Sequence, residues 1–179
     1  MTLRDGGIAV PFLHNIPVFP HNSGEKGAVF MWQIGVWEHN EGLAERVSEL
    51  SEGRALVRAC SHPALLAGID LDLLLVSPGA AGWAGASVLT CRVALLPGGM
   101  SALTRPLPAH MVVSYGTSPR NTITLSALSD GKAAVAVQRE FLSLGGRPVE
   151  RQELVLPWAG GSPDLLLVQV GAALLLERI

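Results

Sequence analysis

Residues 71–96 read LDLLLVSPGAAGWAGASVLTCRVALL, and this stretch decides the fold class. Leu71–Val76 and Cys91–Leu96 are short apolar runs bounded by turn residues, the pattern of strands covered on both faces of a parallel sheet. Between them, Gly79 to Val88 reads as a Gly/Ala-rich loop followed by a short helix. Strand, crossover and strand together imply a parallel pair joined by a right-handed connection.

Working back from that unit, residues 28–37 (AVFMWQIGVW) form a ten-residue stretch rich in β-formers and predict a buried strand. Asn40 is placed to cap a following helix, with Leu43, Val47 and Leu50 on one face and Gly53 as its stop. Ala55–Ala59 reads as a strand, and Ser61 with Pro63 opens a short helix that ends at Gly68. Residues 1–27, with Pro11, Pro17 and Pro20 and no sustained period, read as an extended N-terminal arm.

Working forward, the character changes. His110–Ser114 and Thr122–Leu128 are strand-like, and Asp130-Gly131 is a hairpin turn signal. Ala133–Leu144 reads as one strand, Gly145-Gly146 as a second tight turn, and Val149–Leu156 as the return. Pro163 and Asp164 start an apolar helix ending near Leu176. The expected architecture is one α/β domain over residues 28–179. Its mixed, Rossmann-like sheet has parallel strands with helical crossovers first, an antiparallel hairpin extension after, and a C-terminal helix.

Composition excludes several classes. The chain has 179 residues, enough for one domain with a sizeable core. Thirteen basic against 15 acidic side chains leave a net charge of −2, without the basic face of a nucleic-acid binder. Aromatic residues are 5%, which leaves no base-stacking platform, and 49% hydrophobic residues exclude a disordered chain. The longest apolar run, Leu165–Leu176, falls short of the ~20 residues that span a bilayer, so no membrane partner is expected. Two cysteines without a CxxC and an N-terminus without a leader pattern point to free thiols in the cytoplasm.

Charged residues make up only 16%, against about 25% in ordinary soluble domains. So few charges mean a surface that either exposes apolar area or is covered by another subunit, and a homo-oligomer, most simply a two-fold dimer, is expected. Phe12, Phe19, Phe30, Trp32 and Trp37 would be its anchors. The competing reading folds the arm back over its own sheet.

The candidate site residues cluster after strands. Gly79, Gly82 and Gly85 form GxxGxxG after Leu71–Val76, where backbone amides can cradle a phosphate or simply allow close packing. Pro97-Gly98-Gly99 follows the next strand, with no acidic residue to grip a ribose, so NAD is not expected. Ser114, Tyr115, Thr117, Ser118, Arg120 and Asn121 form a polar segment after the strand MVVS. In a parallel sheet all three loops share the carboxyl edge, where open α/β sheets bind ligands. Hydroxyls, one guanidinium and amides suit a phosphate or carboxylate, while a self-satisfied polar turn is the alternative.

Other chemistry is not signalled. No GxxxxGK[ST] occurs, and the only lysines are Lys26 and Lys132. His14, His21, His39, His62 and His110 make no metal-ligand spacing, so neither a metal nor a cofactor is expected. Cys91 sits in an apolar strand as an inert thiol, and Asp70 and Asp72 read as solvated ends of theirs. No catalytic residue is assigned, since His110 alone lies near the polar segment in sequence.

From Cys91 onward a strand and loop lead to Val112-Val-Ser-Tyr-Gly116, then a hairpin at Asp130-Gly131. Leu154-Val-Leu-Pro157 and a helix carrying Gly171-Ala-Ala-Leu-Leu-Leu follow. This order resembles the latter part of the central nucleotide-binding domain of Mur-type peptide ligases, which make peptidoglycan precursors. The Walker-type loop, acidic metal ligands and catalytic histidine of those ligases have no match here. The resemblance therefore implies a related α/β core without ligase activity. The functional expectation is a small domain taking a small anionic or phosphate-bearing ligand at the carboxyl edge, with the balance against an enzyme. The alternative is a non-enzymatic, homo-oligomeric structural or assembly protein.

Overall fold

Alternating side chains of the apolar runs need cover on two faces, and the strand order supplies it. The computed structural model describes residues 31–80, 89–100, 107–129 and 131–179. Strand β1 (Trp32–Trp37) lies between β2 (Ala55–Cys60) and β3 (Asp70–Val76), and β4 (Thr90–Pro97) and β5 (Ala109–Tyr115) follow β3 outward. All five are parallel. Strand β6 (Ile123–Ser129) meets β5 only at Tyr115–Ile123, so it runs on past the end of β5. Strand β7 (Lys132–Val137) returns antiparallel to β6. Strands β8 (Phe141–Leu142) and β9 (Pro148–Val149) form a separate small hairpin, and β10 (Gln152–Pro157) closes the eight-stranded sheet against β7. This is the mixed α/β sheet that residues 71–96 and the two turn signals imply.

Helix α1 (Leu43–Ser51) makes the β1–β2 crossover, and α2 (Pro163–Leu175) is the C-terminal helix. Ser162 caps α2 by accepting from the Leu165 N–H, and Pro163 occupies the first turn, where its missing N–H costs nothing. Three local readings need correction. Asn40 does not cap α1; it sits in a left-handed turn at φ 58°, and a carboxylate from the end of β1 does the capping. Ser61 does not cap the next segment either, because the His62 ring accepts from the Ala64 N–H, and only a 3-10 turn over Pro63–Leu66 follows.

The third concerns residues 133–156. Ala133–Leu144 is not one strand: β7 stops at Val137, and the chain leaves the sheet through Gln138–Glu140 to form β8. Val149–Leu156 is likewise divided between β9 and β10. The excursion gives α2 its outer cover, with Leu144 N–H donating to the Leu175 carbonyl at 2.9 Å. The N-terminal arm (1–27), residues 28–30, most of the Gly79–Val88 crossover and Asp130 lie outside the described residues.

The core has two parts, one per sheet face. On one face Ile34, Val36, Leu73, Leu75, Val93, Leu95, Val113 and Tyr115 pack under α1, α2 and the β8–β9 hairpin. On the other, Trp37, Leu74, Val76, Ala94 and Leu96 gather with Leu66 and Leu107. Gly171 sets how closely α2 approaches the sheet. A Cβ there would lie 2.8 Å from Leu95 Cδ2 and 3.1 Å from Ile123 Cδ1. Overpacking a rigid contact of this kind forces strained rotamers or backbone shifts. Gly171→Val is therefore expected to lower stability by about 1–3 kcal/mol, read as a reduced urea midpoint at unchanged m-value.

Candidate functional site

Because β1, β3, β4 and β5 are parallel, the segments after them emerge on one side of the sheet. These are residues 38–42, 77–80, 98–100 and 116–122. The strand order reverses at β1–β3, the crevice position where such sheets hold ligands. Backbone bonds stitch this edge together: Ser77 N–H donates to Trp37 O at 2.9 Å, and Gly98 N–H to Tyr115 O at 2.7 Å.

Two carboxylates three residues apart organise the β1–β3 part. Glu38 is 9% exposed, and its carboxylate accepts from the amides of Glu41 (3.1 Å), Leu43 (2.8 Å) and Ala44 (3.0 Å). It satisfies orphan donors at the start of α1 and places negative charge at the positive end of the helix dipole. Glu41 reaches the other way. Its carboxylate accepts from the Ser77 hydroxyl and the Gly79 N–H (3.0 Å), with the His39 N–H farther off at 3.4 Å. The two places where a ligand's anion would sit in such a fold both hold the chain's own carboxylates.

The expected site residues divide between surface and interior. Gly79 is exposed with its amide bound by Glu41, while Gly82 and Gly85 fall outside the described residues. Gly98 and Gly99 are exposed. Gly98 makes room for Asn121, since a Cβ on it would overlap the Asn121 carboxamide, and a Cβ on Gly116 would lie 2.7 Å from Asn121 Nδ2. Asn121 itself is 7% exposed, so the β4 and β5 loops close over its side chain. Ser114 bonds to Thr122, its hydroxyl accepting from the Thr122 N–H at 3.0 Å. Thr117, Ser118 and Arg120 are exposed, in a turn where Asn121 N–H donates to Ser118 O and Ser118 Oγ accepts from Arg120 N–H.

Tyr115 points inward. It is fully buried, and its hydroxyl donates to the Val76 carbonyl at 2.7 Å, tying the end of β5 to the end of β3 across β4. Burial, with the negative charges of Asp164 and Glu41, raises its phenol above the ordinary range, so it stays protonated as that donor. Glu38, Glu41 and Arg139 were not among the expected residues. Arg139, in the turn after β7, donates from its guanidinium to the Arg120 carbonyl and brings a second exposed cation to the polar turn.

Burial also raises both thiols, Cys60 to about 11 and Cys91 to about 12, from an ordinary value of 9.0. Neither has the electropositive setting of a nucleophile. Among the described residues no group of three or more His, Cys, Asp and Glu side chains could hold a metal ion, and no helix is long and apolar enough to cross a membrane. No protein-family model and no curated protein matches the chain.

Two outcomes follow from this geometry. Glu38→Ala leaves three amides without their anion and is expected to cost about 2–3 kcal/mol in chemical denaturation. The thiols predict an alkaline loss of stability. Above pH 9 the unfolded chain releases thiol protons that the folded protein retains, so stability falls from about pH 9 towards 11–12. Cys60→Ala/Cys91→Ala should flatten that part of a stability–pH curve.

Proposed function

We propose that the protein binds a small anionic ligand, bearing a phosphate or carboxylate, at the corner formed by Gly98-Gly99, Thr117–Arg120 and Arg139. The carrying observation is the Arg139 guanidinium on the Arg120 carbonyl, which brings two exposed arginines to exposed hydroxyls at the carboxyl edge. A guanidinium has five donors, so Arg139 keeps four after this bond. Glu140 adjoins Arg139 in sequence and is the nearest opposing charge along the chain. The β1–β3 end of the same edge already carries Glu38 and Glu41, so a further anion is favoured at the arginine corner rather than there. Binding, not catalysis, is the activity this reading assigns.

A thermal-shift series with inorganic phosphate, nucleotides and sugar nucleotides tests it. A bound ligand at 100 times its Kd stabilises by about 2.7 kcal/mol, a rise of roughly 5–10 °C for a domain of this size. Arg120→Ala/Arg139→Ala should abolish the shift while leaving the unliganded Tm within about 2 °C. No shift with any of these anions ends the reading.

A second reading, a homo-oligomer, rests on β10. Among the described residues this edge strand pairs only with β7, and it carries Val155 at 62% exposure, an open template for another strand. Light scattering at micromolar concentration decides it, because a mass near 18.8 kDa refutes an oligomer.

A further inference from the structure

Gly79 is exposed at the place where a ligand's oxyanion would be expected, yet its N–H is already bonded to an anion from the same chain. We propose that Ser77, Gly79 and the His39 amide form a carboxylate site that Glu41 occupies as a self-ligand, and that a free monocarboxylate takes the site when the Glu41 side chain leaves it. The site goes beyond the arginine corner and uses none of its residues.

The donors are held independently of their occupant. Ser77 is fully buried, its own amide is tied to Trp37 O, and Ala80 N–H donates back to Ser77 O at 3.2 Å. The start of α1 is fixed by Glu38, so withdrawing the Glu41 side chain removes no helix cap. Glu41 is half-buried on a turn, with water available to its carboxylate once it swings out. The cradle depends on a glycine: a Cβ at position 79 would lie 2.9 Å from Glu41 Oε1 and fill the space a ligand oxygen needs.

Charge selects the ligand class. Glu38 lies beside the same turn, and Asp164 and Glu41 both act on Tyr115. One unit of negative charge replacing Glu41 leaves the local balance unchanged. A dianion adds a charge next to two fixed carboxylates. Formate or acetate is therefore accepted in preference to hydrogen phosphate, the opposite of a cradle built for phosphate.

The test is Glu41→Ala titrated with sodium formate, against sodium chloride and sodium phosphate at equal ionic strength, read by thermal unfolding. Arg120→Ala/Arg139→Ala are also in place, so that the arginine corner adds no response of its own. In that background formate is expected to give Glu41→Ala a saturable Tm rise of about 2–4 °C, at least three times that of phosphate, while the same protein with Glu41 intact shows no saturable response. Adding Gly79→Ala should abolish the rise, which, with both arginines already replaced, separates this site from the arginine corner. A formate response no larger than that to chloride, or one that survives Gly79→Ala, overturns the proposal. Should Glu41→Ala be recovered unfolded, refolding yield is the readout: a formate-dependent yield supports the site, and equal yields in formate and chloride overturn it.

Discussion

The closeness of α2 to the middle of the sheet is the constraint on which the rest of the structure depends. Leu167, Val168, Val170, Ala172, Ala173, Leu174 and Leu175 are all buried, so the helix needs cover on more than one side. A helix that is apolar all round must be enclosed rather than laid on a surface. Gly171 lets it settle onto Leu95 and Ile123, where the parallel half of the sheet meets the antiparallel half. Helix α1 closes one flank and the β8–β9 hairpin another. Arg92 reinforces that hairpin from β4, donating to Leu144 O at 2.6 Å while lying over the Trp32 ring at 4.9 Å. The excursion between β7 and β10 thus exists for α2.

With the sheet held that way, its carboxyl edge becomes electrically uneven. Glu38 and Glu41 stand at the β1–β3 end, and Arg120 and Arg139 at the β5–β7 end. Backbone donors at a strand-to-helix turn attract anions whatever their source. Here the chain supplies its own, so the place that topology favours for a ligand is filled from within. The fold makes the edge; side chains three positions apart decide which parts of it are free.

The architecture was legible because it rests on strong, short-range signals. The apolar runs Leu71–Val76 and Cys91–Leu96, the Gly131 and Gly145-Gly146 turns, and Pro163-Asp164 each carry their own physical cause. The starts of α1 and of the Pro63–Leu66 turn depart from the local signal for one reason: capping rules favour the nearest Asn or Ser, whereas Glu38 and the His62 ring take those amides. The polar triplet Gln138-Arg139-Glu140 was the available sign that β7 ends early. For the site, the polar segment was found but its directions were not. Period-two alternation puts Tyr115 on the same face as buried Val113, so its inward course was there to be read. Arg139 reaches Arg120 only through tertiary pairing of β6 with β7, which no local pattern encodes.

The low charge content takes on a different meaning in this light. Sixteen per cent charged residues suggests a surface with little to solvate it, yet several of those charges also tie the fold together. Asp72 accepts from the Gln33 N–H, and Arg54, Arg92 and Arg178 donate to the carbonyls of Leu176, Leu144 and Leu50. Glu177 takes the Ser143 hydroxyl, and Glu38 and Glu41 take amides. Charged groups used in this way act as caps and ties between segments distant in sequence, where a charge-assisted bond is stronger than a neutral one. By contrast, the ion pair Arg46–Glu49 lies on the exposed face of α1, where such pairs contribute little. The charged residues that serve as ties therefore lock α2, α1 and the β8–β9 hairpin together across long stretches of chain.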